Sequence, residues 1–188
     1  MKHLLPTRLK LRSRVNQFRR HHRFHIEALE SRCVLAAVVE AEPNNSFSSP
    51  QLLSGDTVFE VSASIGSLRD VDFYSVSVNA GTLISVNARA LNPFASSSNQ
   101  LDPIVGLYSP SGVLVDTDDD NGLGSSWACG LSFIATETGL WRIALSDYND
   151  FNFDGVGGDF DGFGTDIGVY VLDVLAGGTG FVSVDNDT

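Results

Sequence analysis

Three stretches decide the fold: Val58-Phe59-Glu60-Val61-Ser62-Ala63-Ser64-Ile65, Asp72-Phe73-Tyr74-Ser75-Val76-Ser77-Val78 and Leu83-Ile84-Ser85-Val86-Asn87-Ala88-Arg89-Ala90. In each, apolar residues recur at every second position, the period of a strand with one buried face. Phe59, Val61, Ala63 and Ile65 share one side of the first, Tyr74, Val76 and Val78 one side of the second, and Ile84, Val86, Ala88 and Ala90 one side of the third. Asn79-Ala80-Gly81 between the last two has hairpin-turn chemistry.

Outward from this block the same pattern continues. Strands are expected at 104–108, 113–116, 132–135, 140–146 (Trp141, Ile143 and Leu145 inward) and 168–175 (Tyr170, Leu172 and Val174 inward). Ser109-Pro110-Ser111-Gly112 and Glu137-Thr138-Gly139 supply the turns. About eight short antiparallel strands and no helical stripe in this part predict an all-β fold, an antiparallel β-sandwich. With 43% hydrophobic residues in 188, the chain has the means to build one core, and its Gly and Pro content excludes a low-complexity polymer. The longest apolar run, residues 34–39, is far too short to span a membrane.

Charge divides the chain in two. Residues 1–38 hold nine Lys/Arg and two Glu, net +7, while residues 39–188 hold three Arg and 21 Asp/Glu, net −18. All four histidines lie in the basic part, which deprives the acidic body of the usual general base. A body at −18 repels nucleic acid and attracts cations. The expected layout is a basic N-terminal segment over 1–38, disordered or helical and acting as a targeting signal, a sandwich over 39–176 and a flexible tail over 177–188. The basic segment lacks the apolar stretch of an ordinary signal peptide, although Ala36-Ala37 would suit a cleavage site. A basic tail that binds nucleic acid is the competing reading. Cys33 and Cys129 provide no disulfide framework, and Cys129, with no histidine in the body to activate it, reads as a small buried hydrophobe.

Acidic and amide side chains cluster at the opening of the body. Glu40, Glu42, Asn44 and Asn45 fall within six residues, and Asp70 and Asp72 stand at a strand entrance. Such oxygens suit a hard cation such as calcium, which takes six to eight of them. Two carboxylates about 4 Å apart repel by roughly 4 kcal/mol at an effective dielectric near 20, so bringing several together favours a cation. The plain alternative is a set of solvated acids at strand ends. A second candidate metal loop is Asp150-Phe151-Asn152-Phe153-Asp154-Gly155, continued by Asp159 and Asp161, which follows the spacing of a calcium loop with an acid in twelfth place. It lacks flanking amphipathic helices, and its alternative is a Gly/Asp-rich flexible loop. Its phenylalanines suggest packing on the sandwich or on a partner. Asp116, Asp118, Asp119 and Asp120 read as a solvated turn.

Two resemblances add to this reading. Leu29-Glu30-Ser31-Arg32 followed by Val34-Leu35-Ala36-Ala37 resembles the LEPR-xLL type of N-terminal motif of large exported bacterial proteins, with Ser31 in place of the usual Pro. Glu40-Ala41-Glu42-Pro43-Asn44-Asn45, Asp70-Val71-Asp72-Phe73-Tyr74, Leu107-Tyr108-Ser109-Pro110-Ser111-Gly112, Thr138-Gly139-Leu140-Trp141 and Gly168-Val169-Tyr170-Val171-Leu172 together resemble the bacterial pre-peptidase C-terminal domain over about residues 39–176. That resemblance implies a jelly-roll-like sandwich and, from its collagen-binding relatives, a calcium role for Glu40, Glu42, Asn44, Asn45, Asp70 and Asp72. The expected function is a non-catalytic, secreted or cell-surface calcium-binding module, with an unknown protein or polysaccharide as partner. An adhesive module without metal dependence is the first alternative. A carboxylate-pair glycosidase using Trp127 and Trp141 is the second, disfavoured because Trp141 falls on an inward register.

Overall fold

The computed structural model describes residues 35–91, 101–124, 127–156 and 166–177. The basic segment through residue 34, which holds the export-like motif up to Val34, and the tail from residue 178 lie outside the described residues, as do Asp159, Asp161, Phe160 and Phe163. All regular structure among the described residues is β, and no helix there is long and apolar enough to cross a membrane.

Ten strands form two five-stranded sheets: β1 (Ala36–Val39), β2 (Gln51–Leu52), β3 (Val58–Ile65), β4 (Asp72–Val78), β5 (Leu83–Ala90), β6 (Pro103–Tyr108), β7 (Leu114–Asp118), β8 (Cys129–Ile134), β9 (Gly139–Asp147) and β10 (Gly168–Ala176). The first sheet runs β1-β3-β10-β5-β8 and the second β2-β4-β9-β6-β7. Pairing is antiparallel except at two edges, where β1 lies parallel to β3 and β2 parallel to β4. The sandwich is therefore as expected, with two edge strands beyond the eight. The 38/39 boundary falls inside β1, so the sandwich takes in Ala36, Ala37 and Val38.

The alternating faces meet where the periodicity placed them. Phe59, Val61 and Ile65 from β3, Tyr74 and Val76 from β4, Ile84 and Val86 from β5, Trp141, Ile143 and Leu145 from β9, and Tyr170, Leu172 and Val174 from β10 form one core. Trp141 is fully buried and its indole N–H donates to the Glu137 carbonyl at 3.1 Å, so the ring's one polar atom is satisfied inside the apolar layer. Cys129 is buried in the same core.

One expectation is corrected. Asn79-Ala80-Gly81 joins no hairpin, because β4 belongs to the second sheet and β5 to the first. Gly81, at φ 83°, turns the chain across the gap, and its N–H bonds to the Ala135 carbonyl rather than back onto β4. The true hairpin is β6–β7, where Ser109 N–H donates to the Val113 carbonyl at 2.8 Å and Gly112 N–H to the Ser109 carbonyl at 2.9 Å.

A smaller apolar cluster covers the outer face of the second sheet. Val71, Phe73, Ile104, Ala144 and Phe153 are buried there, with Phe47, Tyr108 and Phe151 against them. This explains why Phe73 and Ile104 are apolar out of phase with the period of two. The Asp150–Val156 loop supplies Phe153, so at least Phe151 and Phe153 pack on the sandwich. Tyr108 meets Phe47 and Phe153 edge-on, with ring centroids 5.5 and 6.2 Å apart.

Candidate metal centre

The segment between β1 and β2 crosses from one sheet to the other, and this crossing builds the site. Glu40 prolongs the β1 ladder, its N–H donating to the Ser62 carbonyl at 3.1 Å. Four residues later the Asn44 carbonyl accepts the Phe73 N–H from β4 at 2.9 Å. Residues 40–44 are thus fixed to both sheets, with Pro43 in the middle following a cis peptide bond. Gln51 clasps the far side, its amide accepting from Ala41 N–H at 2.9 Å and donating to the Val39 carbonyl at 3.0 Å.

Glu40, Glu42 and Asp72 each place a carboxylate oxygen within 4.8 Å of the others, the one such group of three among the described residues. Asp72 and Asn44 are fully buried, Glu40 half-buried and Glu42 exposed, so the cluster runs from the protein interior to solvent. Glu40 is held by Ser64 N–H at 3.0 Å on Oε2 and by the Tyr74 hydroxyl at 3.2 Å on Oε1. Asp72 accepts from the Tyr170 hydroxyl at 2.6 Å on Oδ2, and the Tyr74 and Tyr170 hydroxyls are 2.8 Å apart. Two tyrosines from opposite sheets therefore aim two carboxylates at one point. Sequence reading placed both rings in the core by their inward register, and nothing in their spacing revealed the hydroxyl pair.

Asn44 marks the centre of the cluster. One terminal atom of its amide lies 3.0 Å from Glu42 Oε2 and 3.2 Å from Asp72 Oδ1. With nitrogen there, the amide bridges the two carboxylates as a double donor. With oxygen there, Nδ2 donates to Glu40 Oε1 at 3.4 Å and Oδ1 joins the Glu42 and Asp72 oxygens, an all-oxygen face open to a cation. The donor set is all oxygen, which suits a hard divalent ion rather than a thiophilic one.

Asp70 and Asn45 form the flank. Asp70 is buried, with Oδ1 accepting from the Asn45 amide at 2.7 Å and Oδ2 from Gly66 N–H at 2.6 Å. Of the six residues expected to share a cation, Glu40, Glu42, Asn44 and Asp72 face one point, while Asp70 and Asn45 engage each other beside it.

The electrostatics register the crowding. Burial, the shared hydrogen bond with Glu40 and the charges of Glu40 and Asp70 push Asp72 up to about 9, with the Tyr170 bond opposing. Glu42 is raised by burial and by the charges of Asp70 and Glu40, and Asp70 by burial and Glu40. Without a cation, Asp72 therefore binds its proton more tightly than an ordinary carboxyl does.

The Asp150 loop is organised differently. Asp150 is fully buried, and its oxygens accept from Ser146 Oγ at 2.7 Å, Asp154 N–H at 3.0 Å and Gly155 N–H at 2.9 Å. Asn152 and Asp154 turn onto the N–H groups of Asp154 and Val156. In the described part of this loop the carboxylates hold the loop's own backbone over Phe153. Asp118 likewise accepts from Asn121 N–H at 3.1 Å and Gly130 N–H at 2.6 Å, latching the turn after β7 to β8.

The sequence matches no protein-family model and no curated protein. Among solved structures it resembles the Aeromonas hydrophila periplasmic lysozyme inhibitor PliG, at 11% identity and TM-score 0.43, over 76% of this chain and 98% of that one. The pre-peptidase C-terminal domain of a Bacillus anthracis collagenase is similar at 12% identity and TM-score 0.43, over 75% and 96%. CorA, a surface-associated copper-binding protein of Methylomicrobium album BG8, is similar at 8% identity and TM-score 0.41, over 75% and 100%. These are resemblances of outline, and the assignment of a sandwich rests on this chain's own two sheets.

Proposed function

We propose that the chain is a non-catalytic, exported binding module in which one calcium ion fastens the segment leading out of β1 to the second sheet. The observation that carries this reading is the convergence of Glu40, Glu42 and Asp72, whose carboxylate oxygens lie within 4.8 Å of one another. Glu40, Glu42, Asn44 and Asp72 would hold the ion directly, and Asp70 and Asn45 would add negative charge and order from the side. The ion would supply positive charge to a cluster whose Asp72 otherwise binds its proton more tightly than an ordinary carboxyl does.

The same residues argue for a structural role rather than catalysis. The body holds no histidine or lysine, and Trp141 is sealed in the core, beyond reach of a sugar. The partner we envisage is a protein or polysaccharide outside the cell. Export is supported by the basic, LEPR-xLL-like N-terminal segment.

An ion at 100 times its dissociation constant adds about 2.7 kcal/mol to stability, a visible share of what a domain this size possesses. Thermal melts of the full chain at pH 7.5 are therefore expected to rise by several degrees between chelator and excess calcium. Asp72→Asn keeps an acceptor for Tyr170 but removes the ligand charge, and is expected to abolish the calcium response while still folding. Superimposable wild-type curves would sink the proposal.

A further inference from the structure

Strand β6 opens with a peptide bond of unusual chemistry, Asp102–Pro103. The proline nitrogen is a tertiary amide, a better leaving group once protonated than an ordinary backbone nitrogen. The preceding carboxyl can close a five-membered ring on its own main-chain carbonyl. In most proteins such a bond is inert near neutrality, because the carboxyl is ionised and solvated and the carbonyl is not polarised.

Here the surroundings differ in three respects. The Asp102 carbonyl oxygen, which would carry negative charge during attack, accepts a short hydrogen bond of 2.6 Å from Tyr148 N–H. The Asp102 N–H is bound by Asp147 Oδ1 at 2.8 Å, so the backbone on both sides of Cα is clamped to the end of β9. The side-chain oxygen Oδ1 is buried and has no hydrogen-bond partner among the described residues, so its lone pairs are uncommitted. The titratable groups that interact with Asp102 are the carboxyls of Asp119 and Asp120 after β7 and of Asp147 on β9, and the buried thiol of Cys129 on β8; none brings a positive charge.

We propose that Asp102 is a self-processing residue that cuts its own bond to Pro103 when the medium turns mildly acidic. Asp102 Oδ attacks the Asp102 main-chain carbon, the bond from that carbon to Pro103 N breaks, and the carboxyl proton passes to the departing nitrogen. The product pair is a cyclic anhydride at residue 102 and a secondary amine at Pro103. Water then opens the anhydride to two carboxylic acids, so the net reaction is hydrolysis of one peptide bond. Burial and the charges of Asp120 and Asp119 keep the acid form of Asp102 present up to about pH 6. Because β6 is hydrogen-bonded on both sides, to β7 and β9, the two pieces stay together until denatured.

The test is incubation of the full chain at pH 5.0, 6.0 and 7.5, followed by denaturing electrophoresis and mass spectrometry. Fragments 1–102 and 103–188, jointly heavier than the intact chain by one water, are expected at pH 5.0, with the rate falling as pH rises through 6. The folded chain should cut about tenfold faster than the same chain unfolded in guanidinium at the same pH, since only the fold supplies the clamp. Asp102→Ala and Pro103→Ala should both be stable, and Asp119→Asn with Asp120→Asn should move the pH profile to lower pH. Absence of these fragments, equal rates in folded and unfolded chain, or cutting that persists in Asp102→Ala would each overturn the proposal.

Discussion

Asp147 ends β9 with both carboxylate oxygens taken by backbone N–H groups, Asp102 on one and Asp166 on the other, each at 2.8 Å. This single side chain gathers the starts of β6 and β10 to the end of the strand between β4 and β6. Burial, with the charges of Asp166 and Asp102, lifts it to about 7 despite those two bonds. Asp102 is lifted to about 6 and Asp72 to about 9, so three acids bind protons more tightly folded than unfolded. Their contribution is complete below the ordinary carboxyl value of 3.8 and is lost as pH rises through each folded value. In chelator the melting temperature is therefore expected to fall steadily between pH 5 and pH 8. Asp147→Asn should flatten that slope around pH 7, and a melting temperature that climbs with pH would contradict the assignment.

At the scale of elements, the Asp150–Val156 loop shows why burial on both faces of a sheet needs a specific partner. Gly106, in the middle of β6, has the Phe153 ring so close that an added Cβ would lie 2.4 Å from Cε2 and 2.6 Å from Cζ. Gly106→Ala is thus expected to lift the loop and cost roughly 1–3 kcal/mol in denaturant unfolding. An unchanged midpoint would mean that Phe153 swings aside freely. The strands themselves were legible wherever an alternating run was long enough to show a period: Val58–Ile65, Asp72–Val78 and Leu83–Ala90 stand as read. Gln51–Leu52, with two residues, has no period to display, and Ala36–Val39 hides in a continuous apolar run. Turn chemistry showed that the chain reverses at Asn79-Ala80-Gly81 but not whether the next strand pairs beside the last or crosses to the other sheet. Glu40, Glu42, Asn44 and Asp72 were visible as an oxygen-rich composition. The contribution of Tyr74 and Tyr170 was not, because a hydroxyl at the end of a core ring leaves no mark on a hydrophobic pattern.

For the molecule as a whole, a body at −18 with three arginines works against its own compactness. Only Arg89 forms an ion pair among the described residues, with Asp173, while Arg142 lies 4.1 Å over the Phe47 ring. Monovalent salt shortens the reach of charge repulsion to about 8 Å at physiological strength. Chelated protein is accordingly expected to gain thermal stability as sodium chloride is raised from 20 to 500 mM, roughly, over the range where screening sets in. A flat or falling trend would show that local contacts outweigh the global field. The strand directions carry one more consequence. Ala36 opens β1 beside Phe59, and Leu175, one residue before the end of β10, lies beside Val58, so the described chain comes in and goes out at the same end of the first sheet. Glu40 sits past the opposite end of β1, bonded to Ser64. The acidic cluster thus lies at the end of the first sheet away from where the described chain enters and leaves it, so that an ion there would brace the end its covalent neighbours do not.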